Sequence, residues 1–134
     1  MAVERLFGPV DISVSGMRAH DKSMEVISSN IANARTIDAG QGQPYRRLQP
    51  ILRSKNEGVS GVTVEDVVPD MSALQRIYDP GNPQADAQGY IVMPNVHLPV
   101  EMMSLNVASR AYQANAAILK RYQKMVETTL ELLR

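Results

Sequence analysis

The sequence predicts a mainly α fold with a small β insert, in which long N- and C-terminal helices pack as a coiled-coil-like pair joined by an extended β-hairpin region. Three observations carry that reading. Seven of the eight prolines and six of the eight glycines lie between Gly40 and Pro99, so helix-breaking residues are confined to the middle of the chain. Apolar residues recur at spacings of three and four on both sides of that region. The middle is itself rich in β-forming residues and turn chemistry. The chain divides accordingly into an N-terminal helix over 1–35, an extended β-hairpin insert and linker over 36–96, and a C-terminal helix over 97–134.

The first helix is predicted from about Pro9 to Ala34, because Pro9 suits a first turn and no other proline precedes Pro44. Met17, His20, Met24, Ile27, Ile31 and Ala34 fall on one stripe and form its packing seam. Gly16 weakens such a helix by roughly 1 kcal/mol relative to alanine and is read as a point of close backbone approach in preference to a bend.

In the insert, Tyr45–Arg53 and Val59–Val68 read as two strands of a hairpin, separated by the charged, glycine-ending loop Ser54–Gly58. Pro50 cannot donate a ladder hydrogen bond, which puts the first strand at an edge. A third extended piece around Leu74–Tyr78 precedes the turn-forming run Asp79-Pro80-Gly81-Asn82-Pro83.

Pro99 opens the last helix, and the 35 residues after it contain neither glycine nor proline. Leu105, Tyr112, Ala116, Leu119, Val126, Leu130 and Leu133 form one stripe. Ala108, Ala111, Ile118, Tyr122, Met125 and Leu132 form a second beside it, so the helix is fitted to serve two neighbours. Such a helix extends on the order of 50 Å, too long for the insert to cover, and other helices must cover much of its apolar surface.

Composition narrows the function. Hydrophobic residues make up 44% of the 134, yet aromatics only 4%, while methionine occurs eight times, the chemistry of seams that repack against neighbours. Fourteen basic and fourteen acidic side chains balance, so no net field recruits nucleic acid or anionic lipid. The first ten residues place Glu4 and Arg5 among apolar ones, unlike a cleavable signal peptide. Later apolar runs fall short of the ~20 residues a membrane span needs. Without cysteine there are no disulfides and no thiolate metal sites.

No catalytic constellation or cofactor site emerges. His20 and His97 stand far apart and outside any metal-binding spacing, and each reads as a helix or loop residue. The Gly40-Gln41-Gly42 run lacks the context and lysine of a phosphate loop. Arg46, Arg47, Arg53 and Lys55 are the densest basic cluster, read as the solvated face of a short hairpin and not as a nucleic-acid surface.

Two stretches resemble the axial proteins of the bacterial flagellum, the rod and hook subunits. Ser28-Ser29-Asn30-Ile31-Ala32-Asn33-Ala34 is similar to the motif that ends their N-terminal helix, where Asn33 also suits a C-terminal cap. Ser109-Arg110-Ala111-Tyr112-Gln113-Ala114-Asn115 is similar to their C-terminal helix. A more specific likeness, to proximal rod proteins, runs through Gln43-Pro44-Tyr45-Arg46-Arg47, Tyr78–Pro83 with Asn82, Ala85-Asp86, and Gly89-Tyr90-Ile91-Val92-Met93-Pro94-Asn95-Val96. The first ten residues and Arg53–Ser60 depart from the family pattern.

The resemblance implies a structural, non-enzymatic subunit of the proximal rod. Such subunits polymerise into a helical tube that links the membrane ring to the distal rod and transmits torque. It implies as partners other copies of the chain, other rod proteins, ring or rod-adaptor proteins at the base, and the type III export apparatus, with no nucleic acid and no small-molecule substrate. It further implies export without a cleaved signal peptide, a place in the rod across the periplasm, and terminal helices that order on assembly. The assembly seams would then be Met17, Met24, Ile27 and Ile31 on the first helix, and Leu105, Tyr112, Ile118, Leu119, Tyr122, Val126, Leu130 and Leu133 on the last. The alternatives are another flagellar axial subunit and an unrelated helical adaptor.

Overall fold

The computed structural model describes residues 2–40, 42–55 and 61–133, with side chains from Gly8 onward. Its elements are α1 (Ala2–Ala32), β1 (Leu48–Ser54), β2 (Val62–Pro69), β3 (Gln75–Tyr78), β4 (Tyr90–Met93) and α2 (Leu98–Leu132). Two long helices thus enclose a β insert in sequence, as the distribution of proline and glycine predicts.

The start of α1 differs from expectation, because the helix begins at Ala2 and Pro9 lies inside it. Proline in a helix interior removes one backbone bond and crowds the carbonyl four residues earlier. Gly8, the residue before it, carries no Cβ to clash with the ring. At its other end α1 stops two residues before Ala34. There Asn33 Nδ2 donates to the Ser29 carbonyl at 3.0 Å, and the Thr36 N–H donates to the Asn33 carbonyl at 3.0 Å. Asn33 therefore satisfies backbone groups where the helix hands over to the insert, as its cap chemistry predicts.

The two helices run antiparallel. Asn30 near the end of α1 bonds Glu101 in the first turn of α2. A Cβ built on Gly16 would lie 2.7 Å from Asn115 Nδ2, so the close approach read from Gly16 is present. From Asn30 back to Gly16 and from Glu101 on to Asn115 the helices advance by equal numbers of residues. Pro99 occupies the first turn of α2, following His97 at the N-cap.

Among the described side chains the core is small, with Ala19, Val26, Ile27, Ala34, Ile91, Pro94 and Ala108 as buried apolar residues. Of the predicted α1 stripe only Ile27 and Ala34 are buried, whereas Met17, His20, Met24 and Ile31 are half-buried. The reason is that α1 packs against α2 on one side and both strands of the first hairpin on another, so its buried surface is broader than one stripe. Ser13 and Ser15 are buried too, with hydroxyls bonded to the carbonyls of Pro9 and Ile12 at 2.8 Å.

β1 and β2 pair antiparallel with a register shift between Ile51 and Leu52 that leaves Glu65 unopposed, a bulge. Most of the expected loop, and Val59, lie outside the described residues. The first strand starts at Leu48 and not at Tyr45, because the Arg47 N–H is used by Asn95 Oδ1 at 2.9 Å instead of a strand partner. Gly61 seats the hairpin on α1: a Cβ there would collide with the Ser15 hydroxyl, which instead accepts the Val62 N–H at 3.1 Å. β3 pairs with β4 from Gln75↔Met93 to Tyr78↔Tyr90, a second hairpin formed by the predicted third extended piece.

Candidate functional site

At the closed end of the helical pair, five segments meet in one hydrogen-bonded joint. Asn30 has no exposed surface. Its amide nitrogen donates to the Leu48 carbonyl at 2.8 Å and to Glu101 Oε2 at 3.2 Å. Its oxygen accepts the Leu48 N–H at 2.8 Å and the Tyr45 hydroxyl at 2.9 Å. Both donors and both lone pairs are used. Glu101, equally buried, receives Arg47 Nε at 2.6 Å through its other oxygen.

The joint closes through Asn95, which is 4% exposed. Its oxygen accepts the Arg47 N–H, while its nitrogen donates to the Asp70 carbonyl at 3.0 Å and to Ser72 Oγ at 2.8 Å. The Asp70 carboxylate lies 3.6 Å from the Arg47 guanidinium and accepts the Ser72 N–H at 2.9 Å. The Ser72 backbone and hydroxyl, and then Arg47, hold the Asp70 carboxyl below its ordinary range. Among the described residues no buried side-chain polar atom lacks a partner. A network satisfied throughout is rigid, so the joint fixes how the helical pair meets the insert.

This corrects the reading of the basic cluster as a solvated face for Arg46 and Arg47, whereas Arg53 and Lys55 are exposed as that reading expects. Arg47 is half-buried in the joint, and Arg46 donates to the Asp70 and Ser72 carbonyls at 3.4 and 3.3 Å. Arg53 pairs with Glu65 on the neighbouring strand. Sequence reasoning also missed Glu101, Asp70 and Ser72. An acidic residue in the first turn after Pro99 complements the helix dipole, which offers too ordinary an explanation to mark Glu101 as buried.

The second hairpin carries the other quoted motif positions. The Tyr78 and Tyr90 rings meet edge to face at 5.2 Å, and the Arg76 guanidinium lies 5.0 Å from the Tyr90 ring centre. Asp86 organises the connecting loop: its carboxylate accepts the Tyr90 and Gln88 N–H groups at 2.9 Å and Arg76 at 2.7 Å. Those bonds, the Tyr90 N–H foremost, hold its carboxyl below the ordinary value. Gly89 has φ +82° and lies against Tyr78 and Pro80. Asn82 Oδ1 accepts the Gln84 N–H at 3.1 Å. Pro94 is buried, whereas Tyr78 is 63% exposed.

The predicted seam residues of α2 separate into groups. Leu105, Tyr112, Leu119 and Tyr122 are half-buried on the side facing α1. Val126, Leu130 and Leu133 continue that side as exposed residues, Leu133 at 81%. Of the second stripe, Ala108 is buried while Ile118, Met125 and Leu132 are exposed, and with Val100, Met103 and Val107 they line an outward face. Ile118 therefore does not join the intramolecular seam, because it lies around the helix from Ala108.

Comparison with known proteins follows the same division. Residues 11–36 match the family model described as flagella basal body rod protein, and residues 87–132 match that of the flagellar basal body rod FlgEFG protein C-terminal region. The chain is 38% identical over 135 residues to the flagellar basal-body rod protein FlgC of Salmonella typhimurium, covering 98% of each. It is 37% identical to FlgC of Agrobacterium fabrum, covering 92% of this chain and 91% of that one. Against FlgC of Borreliella burgdorferi identity is 32%, over 96% of this chain and 98% of the relative. Asn30 falls in the first matched segment and Asn95 and Glu101 in the second, whereas Arg47 and Asp70 come from the insert between them.

Proposed function

The chain belongs to the FlgC family of flagellar basal-body rod proteins, and from that premise we propose how, as a structural subunit of the proximal rod, it is assembled. The observation that carries the reading is the outward apolar face of α2, Val100, Met103, Val107, Ile118, Met125 and Leu132, together with exposed Leu130 and Leu133. Contiguous apolar surface of this length is unusual on a monomer and marks an interaction face. Neighbouring copies and other rod proteins cover it, each repeating a head-to-tail contact that does not close on itself and so builds a tube.

The joint supports the mechanical part of this role. Force applied to the insert passes to the helical pair through short bonds in a satisfied polar network. The exposed Tyr78 and Tyr90 on the second hairpin offer a contact that distinguishes this subunit from other axial proteins. Asn95 has no such part, since its amide is spent inside the joint. Adaptor proteins of the membrane ring meet the base of the rod, and the type III apparatus exports the chain across the inner membrane to its place in the periplasm. The absence of cysteine leaves no covalent cross-link to hinder threading of an unfolded chain. No helix among the described residues is long and apolar enough to cross a membrane.

The test is cryo-electron microscopy of basal bodies from a deletion strain complemented with this chain. Density for the joint and for α2, repeated helically between the membrane ring and the distal rod, is the expected result. Basal bodies that are complete but contain no such density overturn the reading.

A further inference from the structure

The contact between α1 and α2 has an unusual central line. Gly16, Ser23 and Asn30 follow one another at heptad spacing on α1, and Glu101, Ala108 and Asn115 do so on α2. Equal advance from the two observed contacts, Asn30 with Glu101 and Gly16 with Asn115, sets Ser23 opposite Ala108. The middle of the seam is therefore small or polar, and the apolar residues flank it. We infer that the antiparallel register of the helices is set by two polar keys, the Asn30–Glu101 bond and the seating of the Asn115 amide against Gly16, and not by the apolar stripes.

The flanking residues are poorly suited to choose a register. Met24, Ile27 and Ile31 on α1 and Leu105, Ala108, Tyr112, Ala116 and Leu119 on α2 recur at spacings of three and four, so a slip of about one turn returns apolar groups largely to apolar groups, and methionine repacks readily. The keys respond differently. A slip of one turn, about 5.4 Å, removes Glu101 from both Asn30 and Arg47 and leaves a buried carboxylate without partners. The same slip takes the Asn115 amide off the one glycine between Pro9 and the end of α1 and onto a Cβ-bearing residue. A single buried polar contact fixing the alignment of helices is a known device in paired helices. Here the two keys lie far apart along the seam, so each also limits tilt about the other. The inference concerns geometry within one chain and stands whether or not that chain is built into a rod.

Because the chain lacks cysteine, introduced pairs report alone. Disulfide closure against a glutathione buffer is compared for Ser23→Cys with Ala108→Cys, the in-register pair, and Ser23→Cys with Tyr112→Cys, one turn away. In the otherwise natural full-length chain the first closes about tenfold or more in preference to the second. In a background of Arg47→Leu, Glu101→Leu and Asn115→Ala, with helix content by circular dichroism retained, the ratio falls toward one. Glu101→Gln alone, which keeps the shape and hydrogen-bonding reach of the side chain, keeps the preference. The inference is overturned if the triple variant preserves the ratio or if the natural chain shows no preference. It is equally overturned if the triple variant loses its helix content, which would make these residues supports of the fold and not keys of register.

Discussion

The side-chain amide of Asn30 holds the peptide of Leu48 from both sides, donating to its carbonyl and accepting from its N–H at 2.8 Å each. A helix side chain thereby supplies Leu48 with the pair of bonds that a neighbouring strand would supply. The start of β1 is thereby tied to the end of α1 through this side chain.

Asn30→Ala therefore orphans two backbone groups, at a cost of ~1–3 kcal/mol for each that stays dry. Asn30→Asp is nearly isosteric but loses both donors, to the Leu48 carbonyl and to Glu101, and sets a second carboxylate beside Glu101. In urea titrations at pH 7 it is expected to be less stable than Asn30→Ala, because the added carboxylate faces Glu101 in a buried site. Equal midpoints for the two variants would contradict the geometry of the joint.

Glu101→Ala leaves Arg47 facing a buried gap. Removing one partner of a buried pair costs ~3–5 kcal/mol, and the effect here belongs at or below the low end, because Arg47 is a quarter exposed and can turn toward solvent. A double-mutant cycle with Arg47→Ala is expected to return a coupling of about 1–2 kcal/mol, within the range for contacting residues. Additive effects would mean that the 2.6 Å contact contributes nothing to stability.

Acid should loosen the second hairpin before the helices. The folded Asp86 carboxyl is held below its ordinary value of 3.8 by the Tyr90 and Gln88 N–H groups and by Arg76. A group depressed in the folded state contributes stability that is present above its unfolded pKa and is lost as pH falls through the folded value. Near-ultraviolet circular dichroism from the Tyr78–Tyr90 pair should fade below about pH 4 while the helical signal persists. Asp86→Asn should weaken the tyrosine signal at neutral pH and flatten its acid dependence. An unchanged acid transition in that variant would assign it elsewhere.

Gly89 is constrained twice, by φ +82° and by Tyr78 Cε2, which lies 2.9 Å from where a Cβ would sit. Gly89→Ala is expected to cost ~1–2 kcal/mol from the left-handed conformation alone, before the ring is displaced. Gly16→Ala makes an informative partner. Its gain in helix propensity, about 1 kcal/mol, is opposed by the Asn115 amide, so Asn115→Ala should rescue it. Failure of that rescue would place the strain at Gly16 in some other neighbour.

Leu119 and Leu130 separate folding from assembly on one helix. Leu119→Asp sets a charge against α1 on a half-buried position and should destabilise the isolated chain by about 1–3 kcal/mol. Leu130→Asp, at a site 62% exposed, should leave that stability within about 0.5 kcal/mol and yet abolish rods in cells that still make the protein. Motile cells carrying Leu130→Asp would remove the end of α2 from the assembly surface.

The local sequence determined the elements of this protein. Proline and glycine punctuation bounds the insert, period-three-and-four spacing marks both helices, and β-branched runs mark the first hairpin, because each of these depends on residues close together in the chain. Asn33 as a helix end and Gly16 as a close approach were legible for the same reason. β4 was not read from the sequence, because Tyr90-Ile91-Val92-Met93 between Gly89 and Pro94 is too short a period to distinguish a strand from a linker. Only the tertiary structure decided that Asn30, Arg47, Asp70, Asn95 and Glu101 share one joint. Each has an ordinary local explanation, and their partners lie up to 71 positions away. The tertiary structure likewise decided which apolar stripe is spent inside the chain and which is left for neighbours. Periodicity reports that a face is apolar, but what covers it depends on where the opposing helix lies, and α1 covers Ala108 while leaving Ile118 and Leu130 open.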